Sequence, residues 1–124
     1  LPFSAVYLPA DAVTGVNPTI YPPKEDINWL LSYLNSSLVT YLIRGVLIRS
    51  NMVTSGYVSC LPILDFNETE KKMLGNIAQL ARDKKVDSAQ AIEDIDKLVF
   101  QKIQLSNIVI ENVTYFSKNL GKCV

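Results

Sequence analysis

Apolar residues recur between positions 26 and 44 at the spacing of an α-helix. Ile27, Leu30, Leu31 and Leu34 fall at i, i+3, i+4 and i+7, which places four side chains on one face. Leu38, Tyr41 and Leu42 continue the stripe. Asn35, Ser36 and Ser37 interrupt it. Their short polar side chains suit N-caps better than helix interiors, because they bond free backbone N–H groups. The pattern predicts a helix, a break at Asn35-Ser36 and a second helix, with Gly45 marking its end after Arg44.

Upstream, 3–8 and 16–21 are rich in β-branched and aromatic residues, which suit strands. Pro9-Ala10-Asp11 and Thr14-Gly15 are turn chemistry, so the two runs predict a hairpin. Pro18 puts the second strand at an edge or a bulge, since proline donates no ladder hydrogen bond. Pro22-Pro23 ends it. Lys24–Asp26 then opens the first helix with two acids in its first turn, which suits the helix dipole. After Gly45, residues 46–48 read as a short strand or a last turn, 49–56 as a polar loop and 57–61 as a short strand. Pro62 and Asp65 close this half.

The second half reads as helical. Asn67 with Glu70 has the form of a capping box. Met73, Leu74, Ile77, Leu80 and Ala81 make one stripe, and Arg82, Lys84 and Lys85 suit a helix C-terminus. A next helix begins near Asp87-Ser88. Ile92, Ile95, Val99 and Ile103 point inward there, with Glu93, Asp94, Asp96 and Lys97 on the outer faces. Ser106 caps a last helix with Val109, Val113 and Phe116 inward and Gly121 past its end. The expected fold is therefore α+β: a small, partly antiparallel sheet with a helical hairpin, followed by a C-terminal helical bundle. Residues 1–66 form the α+β part and 67–124 the helical part of one compact fragment.

A chain of 124 residues is long enough for one domain with a core. Lys+Arg and Asp+Glu number 12 each, so the net charge of zero speaks against a free-standing, strongly basic nucleic-acid binder. A subdomain whose partner supplies positive charge remains open. There is no histidine, which removes a His-based triad and a His-ligated zinc. Cys60 and Cys123 lack metal spacing; they read as one buried thiol and one near the terminus. The start at Leu1-Pro2 suggests a processed or cut-out piece of something longer, with nothing resembling a signal peptide. The apolar run 38–48 falls short of the roughly 20 residues a membrane span needs. Sequons at Asn35, Asn67 and Asn112 then read as chance, and the expected location is cytoplasmic.

Candidate chemistry is sparse. Asn17-Pro18-Thr19-Ile20 resembles the (Asn/Asp/Ser)-Pro-Pro-(Tyr/Phe) loop of amino-group DNA methyltransferases, but lacks the second proline and the stacking ring. Asp94 and Asp96 stand two apart on a helix, so they face different ways and share neither proton nor metal. The five glycines stand alone, which excludes a phosphate or S-adenosylmethionine fingerprint. No catalytic, cofactor or metal residue is expected. Arg44, Arg49, Lys71 and Lys72 can build a phosphate-binding surface, with Ser50, Asn51, Thr54 and Ser55 as loop donors. The bland reading of these charges is solubility.

The order of segments carries more than any single residue. Leu30-Leu31-Ser32-Tyr33-Leu34-Asn35-Ser36 comes first, then a helix and a variable polar loop. Leu61-Pro62-Ile63 follows an aromatic, and an acid-rich helix starts at 67–72. This order resembles the target-recognition region of DNA methyltransferases and specificity subunits from bacterial restriction–modification systems. The tail Glu93 to Ile110, with Leu98-Val99-Phe100 and Leu105-Ser106, resembles the C-terminus of adenine-N6 methyltransferases, which are often fused to an endonuclease. The helix after Lys84 is too short for the coiled-coil spacer of a type I specificity subunit. The resemblance implies a recognition fragment that binds duplex DNA beside an N-terminal catalytic domain of the same polypeptide. That domain would hold S-adenosylmethionine, and this chain alone would be inactive. The loop 49–56 is the first expected contact. Part of a type I specificity subunit stays open as the alternative, as do a protein-interaction module without DNA binding, since the 27–42 stripe is apolar enough to dock a partner helix, and a small enzyme that uses acids alone.

Overall fold

The computed structural model describes residues 2–15, 18–47 and 52–120. A 3-10 turn at Lys24–Asp26 leads into α1, Ile27–Leu34. Then come α2, Ser37–Tyr41, a π-helical turn at Leu42–Leu47, and α3, Ser55–Ser59. Three longer helices follow: α4 at Glu68–Arg82, α5 at Ser88–Ile103 and α6 at Asn107–Asn119.

The expected break is present. The Lys24–Leu34 and Ser37–Leu47 segments are bent by 65°. Ser36 is the N-cap of α2, its hydroxyl accepting from Val39 N at 3.3 Å. The capping box also forms: Asn67 Oδ1 accepts from Glu70 N at 2.8 Å, and Glu70 Oε2 accepts from Asn67 N at 2.7 Å. Asp87 caps α5 through Gln90 N at 2.9 Å.

The expected sheet is not. No strand pairs among the described residues, so the α+β class is corrected to an all-helical one. The 3–8 segment finds side chains of the helical joint as hydrogen-bond partners instead of a second strand. Of its expected partner, Val16 and Asn17 lie outside the described residues, and Pro18, Pro22 and Pro23 leave few donors. The strand expected at 57–61 is also absent. These residues belong to α3 and its exit, because Thr54 O accepts from Tyr57 N and Val58 N and both side chains rest against the core. Weak alternation over so few residues yields to that packing. Gly45 does not end the helix either. A Cβ there would come within 3.2 Å of Phe116 Cζ and 3.3 Å of the Tyr41 ring, so the missing side chain admits two aromatics.

One core runs through both halves of the chain. Tyr33, Val39, Ile43, Leu74 and Val99 are its fully buried members. α1 packs on α4, α4 on α5, and α2 on both α5 and α6. The face that α1 buries is turned from the expected one. Trp29, Ser32, Tyr33 and Leu34 are buried, while Ile27, Leu30 and Leu31 are half-buried. The aromatics win the core because each removes more apolar area than a leucine. Ser32 is admitted because its hydroxyl donates to Leu74 O at 2.6 Å. On α4 only Leu74 and Ala78 are buried and Met73 is exposed. On α6 Val113 is buried and Phe116 meets the Tyr41 ring edge-on at 5.3 Å, while Val109 is exposed. Cys60 is exposed, against the expected buried thiol, and Cys123 and Gly121 lie outside the described residues. Among the described residues no single helix is long and apolar enough to cross a membrane; the bent pair around the joint passes on length and composition only when taken together.

Asp96 is the largest departure on α5. Expected on an outer face, it is buried, and its Oδ1 accepts from Ser37 N at 2.8 Å across 59 residues of sequence. Burial raises the Asp96 carboxyl above its ordinary value, against the pull of the Ser37 hydroxyl, the Ser37 N–H and the Lys118 charge. A carboxyl raised in the folded state contributes stability below its ordinary range and loses it as pH rises through the folded value. Asp96→Asn keeps an acceptor for Ser37 and removes the charge. Its melting temperature at about pH 7 should equal or exceed that of the parent chain, with a smaller gain on going to about pH 4. Asp96→Ala leaves the N–H of Ser37 without its acceptor and should cost about 1–3 kcal/mol. Thermal melts at the two pH values check both outcomes.

Candidate functional site

The best-ordered polar chemistry lies at the α1–α2 joint. Asn35 ends α1, and its amide bridges one residue of the N-terminal segment: Oδ1 accepts from Ala5 N at 3.1 Å and Nδ2 donates to Ala5 O at 3.0 Å. The same Nδ2 donates to Leu31 O at 2.8 Å. Ser37 is held from two sides, its N–H by Asp96 and its carbonyl by the Ser117 hydroxyl at 2.9 Å. Thr40 Oγ1 donates to Phe3 O at 3.3 Å. The polar residues of the joint thus tie together the N-terminal segment, α5 and α6.

The segments of the resemblance also meet. The Tyr33 hydroxyl donates to Pro62 O at 2.6 Å, joining the Leu-Asn-Ser helix to the Leu-Pro-Ile stretch. Phe66 meets the rings of Tyr33 and Trp29 edge-on at 5.7 and 6.0 Å. Leu98, Val99 and Phe100 pack into the same core.

Five of the expected DNA contacts lie in the described residues. Arg44 lies half-buried in the π-helical turn, and α3 packs on that turn. Thr54 stands exposed at the N-cap of α3, and Ser55 begins it. Lys71 and Lys72 lie on α4. The Lys71 ammonium is 3.4 Å from Glu68 and 5.3 Å from the centre of the Trp29 ring, so it is already engaged, whereas Lys72 is exposed. Arg49, Ser50 and Asn51 lie outside the described residues.

Neither protein-family models, nor curated proteins, nor solved structures match this chain.

Several contacts have no counterpart among the sequence expectations. Lys102 Nζ reaches Glu70 Oε2 at 3.0 Å, and the Asn67 N–H followed by Lys102 lowers the Glu70 carboxyl from its ordinary value. The Arg82 guanidinium lies 3.9 Å from the centre of the Tyr7 ring and donates to Asn28 at 3.0 Å. A cleft of about 450 Å³ opens between α1, α4 and α5 under the N-terminal segment, its floor made by Leu31, Ile77, Ala78 and Ala91. Among the described residues no three His, Cys, Asp or Glu side chains converge on a metal position. Asp96 did leave a signal: it stands four after Ile92, three before Val99 and four before Phe100, on the apolar stripe.

Burial pushes the Tyr33 phenol up to about 12. A phenol raised in the folded state contributes stability below its ordinary value of 10.0 that is lost as pH rises through about 12. Tyr33→Phe should cost about 0.5–1.5 kcal/mol near neutral pH through the lost Pro62 bond. It should also melt less steeply with rising alkalinity than the parent chain. Urea titrations at neutral and alkaline pH measure both effects.

Proposed function

We propose that this chain is the C-terminal target-recognition domain of an adenine-N6 DNA methyltransferase from a restriction–modification system. One observation carries the reading. The short segments on which the resemblance rests are in contact with one another. Tyr33 of the Leu-Asn-Ser helix bonds Pro62 of the Leu-Pro-Ile stretch, and Asp96 beside Leu98-Val99-Phe100 bonds Ser37. The segments on which the resemblance rests thus form one framework, which supports reading them together as one unit. In this reading the helices are a support. They hold the turn and loop around Arg44, Thr54 and Ser55 against duplex DNA. An N-terminal catalytic domain of the same polypeptide binds S-adenosylmethionine and takes the flipped adenine. Phosphate contacts fix register, and loop side chains read base edges.

A second reading, a protein-interaction module, draws on the exposed Ile108 and Tyr115 of α6, at 72% and 71% exposure. Large exposed apolar side chains on one helix face suit a partner surface better than a phosphate backbone.

Methyl transfer from labelled S-adenosylmethionine to adenine in duplex DNA, assayed on the whole parent polypeptide, tests the first reading. Lys72→Ala and Arg49→Ala in that parent are each expected to weaken DNA binding. Each should flatten the dependence of log affinity on log salt by roughly 0.9 for every phosphate that the variant no longer neutralises. A parent that transfers no methyl group to adenine overturns the methyltransferase; unchanged salt slopes remove both residues from the interface.

A further inference from the structure

The cleft between α1, α4 and α5 is an aliphatic trough with one cation at its edge. Its volume of about 450 Å³ falls within the roughly 300–1,000 Å³ of small-molecule sites. Leu31, Ile77, Ala78 and Ala91 make the floor, and Ile92 and Ile95 extend it along α5. The alanines keep it open, because they set methyl groups where longer side chains would close the gap. The N-terminal segment is fastened across it at two points. Asn35 bridges the backbone of Ala5, and the Arg82 guanidinium lies 3.9 Å from the centre of the Tyr7 ring.

Most polar side chains of the cleft are engaged. Ser32 donates to Leu74 O, and the Asn35 amide bonds Ala5 and Leu31. Arg82 differs. Asn28 and Tyr7 fix its position, yet it makes no ion pair among the described residues. No carboxylate lines the cleft. A guanidinium carries several N–H donors in one plane, so a donor bonded to Asn28 leaves others for a planar anion.

These groups select a ligand. A sugar or a nucleotide needs several polar partners around it, and a nucleobase needs a ring on which to stack. The cleft offers one cation, and its one ring, Tyr7, already carries Arg82. An aliphatic tail with a single anionic head matches what remains. The lining runs along α5 from Ser88 to Ile95, about 10 Å at ~1.5 Å per residue, which suits a chain of roughly eight carbons. We infer that the cleft binds a medium-chain alkyl carboxylate, its tail on Leu31, Ile77 and Ala91 and its carboxylate on Arg82. Binding is a property of this chain alone and does not rest on the methyltransferase reading.

Calorimetric titration of this chain with octanoate, octanol and octylamine tests the inference. Octanoate should bind roughly tenfold or more tightly than either of the others, because only it forms charge-assisted hydrogen bonds with Arg82. Each CH2 added between hexanoate and octanoate should tighten binding roughly three- to fourfold. Arg82→Gln should remove the preference for octanoate over octanol, and Arg82→Lys should restore part of it. Ala81→Leu places a larger side chain in the cleft from a half-buried position. It should abolish octanoate binding while the melting temperature of the unliganded chain stays unchanged. No binding of octanoate at millimolar concentration overturns the proposal. So does equal binding of octanoate and octanol, which marks unspecific apolar uptake, or undiminished binding to Ala81→Leu, which places the ligand elsewhere. Octanoate binding by this chain, with no methyl transfer by the parent, retires the methyltransferase reading and leaves the cleft assignment standing.

Discussion

The joint at Asn35-Ser36-Ser37 is the constraint on which the other packing depends. A helix that breaks in a core exposes backbone donors and acceptors where water cannot reach them. Here each is met from a different place. Ser36 caps its own helix, Asp96 of α5 accepts from Ser37 N–H, and the Ser117 hydroxyl of α6 donates to Ser37 O. The 65° bend therefore cannot be straightened without losing bonds to two distant helices. With the bend set, α1 is directed onto α4, and α2 onto α5 and α6. The N-terminal segment is held by the same joint, through Asn35 and Thr40.

This arrangement separates the molecule into a buried part and an outer part. The buried part is the core around Tyr33, Val39, Leu74 and Val99, in which Ser32, Ser37 and Asp96 are buried with partners. The outer part comprises the 3–8 segment, the π-helical turn and α3. These elements have few buried side chains: Arg44 is half-buried, and Thr54 and Ser55 are exposed.

The aromatic cluster shows how short sequence patterns come to have structural meaning. Leu-Asn-Ser and Leu-Pro-Ile have no evident chemistry of their own. Tyr33 connects them by one hydrogen bond, and Phe66 closes over Tyr33 and Trp29 with two edge-to-face contacts. Edge-to-face geometry sets the positive ring edge against the negative ring face, so the cluster is directional as well as apolar. Lys71 sits over the same Trp29 ring, which explains why one of the expected phosphate-binding lysines is a packing residue as well.

Local signals determined α1, α2, α4, α5 and α6, but not α3. The period of 3.6, the Asn67–Glu70 capping box, the Asp87 cap and the polar break at Asn35-Ser36 are properties of a few neighbouring residues, so they were legible in order along the chain. Three things required the tertiary structure. Which face of α1 is buried depended on the bulk of Trp29 and Tyr33 and on Leu74 O accepting from Ser32. Whether Asp96 stood inside or outside depended on a donor 59 positions away. Whether 3–8 became a strand depended on a partner, and among the described residues the one that bridges it is the side chain of Asn35. Longer helices close their hydrogen bonds within themselves, so sequence suffices for them; a short helix such as α3, strands and buried polar groups need something brought from elsewhere, and only the folded chain decides what that is.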